Sequence, residues 1–520
     1  MAILGRRASS VKVQWTDHEL DYNHPYRSIP RHTCGGESSP DLLYPFVMSI
    51  DPLTGQQPSV AMQVIDLQLQ QIRKNPPAPT TISRSLFLTS MAMNDALAAF
   101  DKKEEGFARS YRARRFQKHD QSDIVAAAGI SMLKRLYPDQ KEFLNDQLKE
   151  LAPDLSKEEL KLGRKVAKMA YRSRKNDGID NNVEFYPSDS GDINAWQPPK
   201  VPTGVVVNDI GTPIATENPE SYYVPGALSP GHMYVRPAVM ESGDQFRAPA
   251  PPRYGSDDMY VDALGNVTTE HDAFVKQFKE VVDVQANMTA VDKVTAEYWA
   301  DGPMSSTPPG HWNEINMDLC LKYGNDLKDD VKSTFLLNAA LMDAGIAAWD
   351  SKYHWGKKGY GVRPQTAIRK LFADDEIQGW KGPNKGIDTI TGSEWQPYQS
   401  PTFVTPSFPE FVSGHSTFSG AAAEVLSKFY GSDEYYDGVS KGYDHYGDGK
   451  RHLVGTYTTT DLVFEDYDGE PITLRWDTLQ DAADDAGWSR LPGGIHIQDG
   501  DLRGREMGQQ IGELVFETLA

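Results

Sequence analysis

The sequence has little cysteine, no long apolar run and no recognisable secretion signal. Its 520 residues include only Cys34 and Cys320, which excludes a disulfide framework and favours two free thiols. No run of about 18 apolar residues occurs, so no membrane span is expected. The pair Arg6 and Arg7 is not followed by an apolar segment, so no secretory signal peptide is predicted and the cellular location stays open.

Several common functional motifs are also missing. The chain contains no P-loop, no GxGxxG after a strand, no HExxH and no CxxC, so no motif indicates nucleotide binding, zinc proteolysis or thiol redox chemistry. The formal net charge of -20 opposes binding to nucleic acids and to anionic membranes. An acidic protein that binds an anion must therefore gather positive charge locally.

What the sequence does contain is a series of helical patterns. Hydrophobic residues make up 39% of the chain and charged residues 24%, which is enough for a sizeable core. Apolar residues recur at helical spacing, and the lengths and short connections are typical of an antiparallel bundle. The predicted helices are 59–75, 80–100, 120–137, 139–151, 156–175, 270–300, 312–323, 327–353, 363–372, 413–430, 477–486 and 498–519.

Other regions interrupt these helices. Residues 177–270 are rich in Pro, Gly, Asn and Tyr and predict short strands with ordered loops. Residues 431–476 alternate Thr, Val, Tyr and Phe between Asp-Gly turns and predict a β-hairpin insertion, whereas 376–406 predicts a loop. The expected organisation is an irregular arm at 1–58, a first helical bundle at 59–300 with the insertion 177–270, and a second bundle at 301–520 with the insertion 431–476.

The stretch from Pro406 to Leu426 carries the first chemical signal. Ser413, Gly414 and His415 directly precede an Ala-rich segment with high helix propensity. A hydroxyl and the free N–H groups of a helix start, with a glycine that allows close approach, suit an oxyanion. His415 adds a group that exchanges protons near neutral pH. The same residues also suit an ordinary capped helix start.

Cationic residues elsewhere in the chain favour the oxyanion interpretation. A multiply charged tetrahedral anion needs several positive charges and hydrogen-bond donors around it. The candidates are Lys352, Lys357, Lys358, Arg363 and Arg490, together with a second histidine, His496.

With these residues the sequence resembles the vanadium-dependent haloperoxidases and the acid phosphatases of the type 2 phosphatidic acid phosphatase superfamily. Their motifs are lysine, six residues, Arg-Pro; then Pro-Ser-Gly-His; then Ser-Arg, five residues, His. Here the second motif reads VSGH, with Val412 in place of the proline. The third motif is complete from Ser489 to His496.

The first motif departs from the family pattern. Seven residues before Arg363 stands Gly356 instead of a lysine. The resemblance favours Lys352, because Trp349 stands three positions before it as in the family's helix. Lys357 is the alternative.

The resemblance implies a fold, a cofactor and residue roles. The fold would be mainly α, with two four-helix-bundle-like halves, extended loops and a small β-hairpin insertion. The cofactor would be vanadate, vanadium(V), bound through His496, with His415 as the catalytic acid-base group. The other oxyanion-binding residues would be Lys352, Arg363, Ser413, Gly414 and Arg490, and the supporting residues would be Asp301, Trp349 and Phe408.

The implied activity is oxidation of a halide by hydrogen peroxide to hypohalous acid, which halogenates an organic acceptor. Residues 298–430 look like bacterial and fungal haloperoxidases beyond the shared motifs. Phe408 matches a position that is aromatic in chloride-oxidising relatives and histidine in algal bromide-oxidising ones. Because this is a single residue, bromide oxidation is predicted and chloride stays open.

Two other function classes remain at this point. One is a soluble acid phosphatase that forms a phosphohistidine, and the other is a non-catalytic helical protein that binds anions. The expected partners are hydrogen peroxide, halide and a small organic acceptor, without nucleic acid or membrane. The resemblance also suggests a homo-oligomer.

Overall fold

The computed structural model describes most of the chain beyond the N-terminal region. It covers residues 58–74, 77–100, 106–109, 121–181, 183–186, 191–202, 205–207, 213–216, 222–302, 305–444 and 451–520. Apart from Pro58, the predicted arm at 1–58 lies outside the described residues, as does Cys34. Cys320 is a buried free thiol.

In the described residues, five helices precede the long insertion and pack around one apolar core. The fifth begins with a capping box, in which Ser156 accepts from the Glu159 N–H and the Glu159 side chain accepts from the Ser156 N–H. The core of this group includes Ile65, Leu86 and Ile130. The helices are α1 (Val60–Lys74), α2 (Pro79–Ala98), α3 (Gln121–Leu136), α4 (Lys141–Leu151) and α5 (Lys157–Ser173).

The insertion contains short antiparallel strand pairs and is followed by two helices. In the described residues β1 pairs with β4, β2 with β3, and β5 with β6. Helices α6 (Glu270–Ala286) and α7 (Ala290–Tyr298) are capped by Thr269 and Thr289, whose side chains accept backbone N–H groups. The strands are β1 (Val201–Pro202), β2 (Val205–Val207), β3 (Pro213–Thr216), β4 (Tyr222–Tyr223), β5 (Met259–Val261) and β6 (Val267–Thr269).

The remaining helices form the second group, which carries the candidate site. Helix α9 is buried on nearly all sides and packs against α2, α11 and α13. Its apolar residues share a core with Phe87 and Leu88 of α2, so the two helix groups are joined by packing. The helices are α8 (Thr307–Tyr323), α9 (Leu327–Gly356), α10 (Pro364–Leu371), α11 (Gly414–Tyr430), α12 (Leu479–Trp488) and α13 (Gln498–Leu519).

A glycine stripe lets α13 approach α11 closely. Gly504, Gly508 and Gly512 lie four residues apart on one helix face. A Cβ on Gly508 would lie 2.4 Å from the Thr417 carbonyl oxygen, and one on Gly512 would lie 2.6 Å from that of Ala421. The absence of side chains therefore sets the distance between the helix that follows His496 and the helix that carries His415.

Two further strand pairs lie in the second half of the chain. Strands β9 (Thr456–Thr459) and β10 (Ile472–Arg475) pair antiparallel, so the predicted hairpin in 431–476 is present. The predicted loop at 376–406 was wrong in part, because β7 (Glu376–Trp380) pairs with β8 (Ile387–Thr391). Trp380 is buried, and its backbone N–H donates to Gln285 of α6, so tertiary packing stabilises this hairpin.

The predicted mainly α fold is confirmed. The described residues contain thirteen α-helices and only short, two-stranded antiparallel sheets. Within these residues, each helix is too short or too polar to cross a membrane.

Candidate oxyanion site

The N-terminus of α11 forms one wall of the site. Ser413 is the N-cap, and its hydroxyl oxygen accepts from the Ser416 N–H at 3.3 Å. Its own N–H donates to the Gly500 carbonyl at 2.8 Å, which fixes the helix start against α13. A Cβ on Gly414 would lie 3.4 Å from the ring of Trp349, so a small residue suits this position.

His496 lies on the loop between α12 and α13 and is only 2% exposed. Its Nε2 is 3.3 Å from Arg363 Nη1. Because a guanidinium can only donate, Nε2 must accept this bond and carries no proton. Burial and the positive charges of Arg363, Lys352 and Arg490 hold the pKa of His496 well below its usual value. The neutral imidazole therefore carries its proton on Nδ1.

The acceptor for that proton is Glu410, which sequence reasoning missed. Glu410 Oε1 lies 2.6 Å from His496 Nδ1 and also accepts from the Ile497 N–H at 3.3 Å. Burial raises the pKa of this carboxyl to about 7, while Lys352 and Arg363 oppose the rise. The available signal was that Glu410 is the one acidic residue in the apolar stretch FPEFV. Such a stretch is expected to be buried, and a buried carboxylate needs a partner.

Arg363 and Arg490 bring two buried guanidinium groups to the site. Arg363 donates through Nε to the Phe408 carbonyl and through Nη1 to the Ile495 carbonyl, both at 2.9 Å. Arg490 donates to the Trp299 carbonyl. Burial lowers the pKa of Arg363 to about 9 and that of Arg490 to about 10, so both stay charged at neutral pH.

Lys352 lies in the site, whereas Lys357 does not. The Lys352 side chain is fully buried, and its ammonium donates to the Pro409, Glu410 and Val412 carbonyls. Three acceptors use all three ammonium protons, so in this arrangement Lys352 could affect an anion only through its charge, and it fixes the loop before Ser413.

The alternative lysine is at the surface. Lys357 follows the last turn of α9, is exposed and donates to the Tyr234 hydroxyl at 3.1 Å. Helix α9 continues through Gly356, and the loop to Arg363 then includes Gly359 and Gly361 with positive φ. The extra residues in the first motif are therefore taken up by the end of the helix and this loop.

His415 faces a different carboxylate. Its Nε2 lies 3.7 Å from Asp301 Oδ2, beyond hydrogen-bond length. Asp301 Oδ1 is 3.0 Å from His311 Nδ1, and His311 Nε2 is 3.0 Å from the Tyr298 hydroxyl. Burial, followed by Arg490, holds the pKa of His415 well below its usual value. His311 and Tyr298 were not predicted, because their roles depend on contacts between α7, α8 and Asp301.

Aromatic side chains close the site beside the cations. The ammonium of Lys352 and the guanidinium of Arg363 each lie 4.7 Å from the centre of the Phe408 ring. The ring centres of Trp349 and Phe408 are 4.9 Å apart, and Trp349 donates to the Leu228 carbonyl. These contacts exclude water from the cations and strengthen their electrostatic effect.

The predicted site residues therefore lie close to one another in space. Shared hydrogen bonds, ring contacts or electrostatic interactions connect Asp301, Trp349, Lys352, Arg363, Phe408, Ser413, Gly414, His415, Arg490 and His496.

The unpartnered atoms fit an oxyanion. Arg363 Nη2, Arg490 Nε and His415 Nε2 are buried and have no hydrogen-bond partner among the described residues. Leaving buried donors unpaired costs about 1–3 kcal/mol each, and more when they are charged. A tetrahedral oxyanion such as vanadate would supply acceptors for the guanidinium donors, and its vanadium centre would accept the His496 Nε2 lone pair in place of the Arg363 N–H. The residues present thus fit this cofactor.

A separate cleft of about 500 Å³ contains none of the predicted site residues. It is lined by Phe185, Ala227 and Ser229 among others. Leu228, between two lining residues, accepts hydrogen bonds from Trp349 and Tyr353. The cleft is therefore connected to the site through these supporting side chains.

Comparisons with known proteins agree with the fold. Residues 332–520 match the model of the VCPO second helical-bundle domain. No curated protein sequence matches the chain. The matched segment contains every predicted site residue except Asp301.

Solved structures match over most of the chain. The apo form of a bacterial vanadium-dependent chloroperoxidase has a TM-score of 0.68 and 21% identity over 85% of this chain and 94% of its own. The holo form has a TM-score of 0.67 and 21% identity over 91% and 96%. A bacterial vanadium-dependent iodoperoxidase has a TM-score of 0.62 and 22% identity over 88% and 95%. The fold of the chain is thus similar to the folds of vanadium-dependent chloroperoxidase and iodoperoxidase structures, and its residues 332–520 match the VCPO second helical-bundle domain.

Proposed function

We propose that the protein is a vanadate-dependent haloperoxidase, which oxidises a halide with hydrogen peroxide to hypohalous acid that halogenates a small organic acceptor. The observation that supports this most is the buried group of Arg363, Arg490, His415 and His496, in which three polar atoms have no partner among the described residues. The similar folds are those of vanadium-dependent peroxidases. Bromide is the proposed halide, and chloride remains open.

The cofactor proposal follows from the donors. His496 would hold vanadate through Nε2, while Arg363 and Arg490 would neutralise its oxygens. The Ser413 hydroxyl and the Gly414 N–H would add hydrogen bonds at the positive end of α11. When bound, vanadate would supply a Lewis acid that activates hydrogen peroxide towards halide.

His415 would handle the proton of the incoming peroxide. Its low pKa keeps the imidazole neutral and able to accept a proton at neutral pH. Its side chain is 17% exposed, although the Nε2 atom itself is buried. Asp301 would stabilise the imidazolium that forms, because its carboxylate is 3.7 Å away.

The same donors would also suit a phosphoryl group. In the alternative function, a soluble acid phosphatase, His496 Nε2 would attack phosphorus and His415 would protonate the leaving group. The fold similarity to peroxidases favours the first proposal, and an activity assay separates the two.

The test compares both activities on one preparation. The protein is dialysed free of metal and phosphate, then supplied with vanadate, hydrogen peroxide and bromide, and bromination of a phenol-red type dye is followed. We expect bromination that depends on vanadate, at a rate that falls when vanadate is withheld. Chloride is tested in parallel for halide selectivity.

Two other outcomes contradict the proposal. Hydrolysis of a phosphate ester that vanadate inhibits, without bromination, would show the phosphatase. Failure of both reactions in a folded protein would indicate the non-catalytic anion-binding class.

A further inference from the structure

Glu410 is a buried carboxylate with no part in the predicted site, although it lies 2.6 Å from the proposed vanadate ligand. We propose that Glu410 is a positioning residue that holds His496 with its proton on Nδ1 and thereby presents the Nε2 lone pair to the oxyanion. This inference rests on the proposed function only in assigning vanadate to that lone pair.

The backbone of Glu410 is fixed on both sides. Its N–H donates to the Gly361 carbonyl at 2.9 Å. Its carbonyl accepts from the Lys352 ammonium at 2.9 Å. The chain around Glu410 is thus tied to the loop before Arg363 and to α9, so the carboxylate starts from a defined position.

The carboxylate itself sits at the N-terminus of α13. Oε1 accepts from the Ile497 N–H at 3.3 Å, where the helix dipole favours negative charge. A Cβ on Gly500 would lie 2.1 Å from Oε1, and its three nearest atoms would all belong to the Glu410 carboxyl group. The glycine therefore leaves the space that the carboxylate occupies.

The direction of the hydrogen bonds identifies the tautomer. Arg363 Nη1 donates to Nε2 at 3.3 Å, so the proton of the neutral ring is on Nδ1. Glu410 accepts that proton and has no competing histidine partner among the described residues. Carboxylates behind metal-bound histidines fix the tautomer and the ring orientation in this way.

Electrostatics explains why a carboxylate is tolerated here. A buried carboxylate is costly without partners, but Lys352 and Arg363 interact with Glu410 and oppose the effect of burial on its pKa. Glu410 in turn offsets part of the positive charge around His496. Without it, Nδ1 loses its acceptor and only the Arg363 donor still opposes the other tautomer, in which Nε2 carries a proton and cannot bind the anion.

The test uses two variants that remove or displace the carboxylate. Glu410→Met removes the acceptor at similar side-chain volume. Gly500→Ala keeps Glu410 but puts a methyl group where its Oε1 lies. Glu410→Gln keeps a neutral acceptor and provides the conservative comparison.

The first measurement needs no vanadate. Histidine labelled with ¹⁵N reports which ring nitrogen of His496 carries the proton, and the signal is assigned by its loss in His496→Gln. We expect the Nδ1–H form in the unsubstituted protein and in Glu410→Gln. Glu410→Met and Gly500→Ala should show a substantial Nε2–H population.

The second measurement is the dissociation constant for vanadate. Loss of a carboxylate behind a ligating histidine weakens metal binding by about 10–100-fold, and we expect this for Glu410→Met, with a smaller change for Glu410→Gln. Asp499→Asn is the matched control, because Asp499 is buried at the same helix start but contacts Tyr260 and Gln277 instead. It should leave the tautomer unchanged even if it lowers the melting temperature.

The outcomes separate this inference from the proposed function. If folded Glu410→Met or Gly500→Ala keeps His496 in the Nδ1–H form, the inference is overturned. If the tautomer changes but the unsubstituted protein does not bind vanadate, the positioning role stands and the haloperoxidase proposal fails.

Discussion

The two histidines of the site are held in very different ways. His496 is 2% exposed and lies 2.6 Å from Glu410, whereas the side chain of His415 is 17% exposed and lies 3.7 Å from Asp301. Asp301 is also shared with His311. A ligand must keep one orientation, but an acid-base group must meet substrate and change its protonation. The tight and the loose carboxylate pairs match these two requirements.

The two histidines are enclosed to different degrees because they lie at the starts of two different helices. His496 precedes α13, whose glycines allow Glu410 and α11 to approach closely. His415 lies in the first turn of α11 and faces the segment after α7. One histidine is therefore enclosed between packed helices, and the other lies where two chain segments meet less closely.

The largest expected effect comes from removing the tightly held histidine. His496→Ala deletes the only proposed bond to vanadium, so vanadate affinity should fall by at least about 100-fold and bromination should be lost. Binding is measured by titration of the vanadate-free protein, with the melting temperature as the control for folding. If His496→Ala still binds vanadate and brominates the dye, His496 is not the vanadate ligand, and the proposed difference between the two histidines is wrong.

Removing the loosely held histidine should separate binding from turnover. His415→Ala leaves the His496 side intact, so vanadate binding should stay within a few-fold, whereas kcat should fall by about 100- to 10,000-fold because a general acid-base group is lost. The measurement is steady-state bromination at saturating vanadate. Loss of vanadate binding of the same size as in His496→Ala would contradict the assignment.

A smaller effect is expected at the carboxylate behind His415. Asp301 has a φ of +45°, a conformation that asparagine also tolerates, so Asp301→Asn tests charge with little change in backbone. We expect kcat to fall by about 10-fold, because the imidazolium loses its stabilising charge. Unchanged kcat would show that the 3.7 Å pair is only structural.

The smallest effect concerns a third buried histidine that has no carboxylate partner. His232 is 2% exposed, and neither ring nitrogen has a hydrogen-bond partner among the described residues. Burial, with Arg84 nearby, lowers its pKa to about 3. In the unfolded chain the pKa of His232 is about 6.5, so below that pH the unfolded state binds a proton that the folded state does not. The free energy of unfolding should therefore decrease as the pH falls from about 6.5 towards about 3.

The variant His232→Leu should remove this acid sensitivity. From the linkage relation, the unsubstituted protein should lose about 2 kcal/mol of unfolding free energy between pH 7 and pH 5 that the variant keeps. Urea unfolding at the two pH values measures the difference. If the free energy of unfolding changes equally with pH in both proteins, burial does not lower the pKa of His232 and the prediction is wrong.

The motifs predicted much of the site because they are local. Ser413, Gly414 and His415 are consecutive residues at one helix start, so the sequence alone shows that they lie close together. The departure in the first motif left two lysines open. Only burial separated Lys352 from Lys357, because burial depends on which side of α9 faces the core.

Other features depend on contact partners that no local pattern identifies. Glu410 meets His496 across 86 residues, and nothing in FPEFV names the partner. The β7–β8 hairpin depended on packing of Trp380 against neighbouring elements.

The sequence by itself determined most of the helices, through periodicity and capping residues, and the chemical types of the groups proposed to bind the anion, through three short motifs. The predicted helix 270–300 is two helices, α6 and α7. The tertiary structure decided which lysine is buried, which carboxylate supports each histidine and how closely α13 approaches α11. The physical reason is that helix formation and capping depend on neighbours within a few residues. Burial, charge pairing and tautomer depend on groups that meet only after the helices have packed.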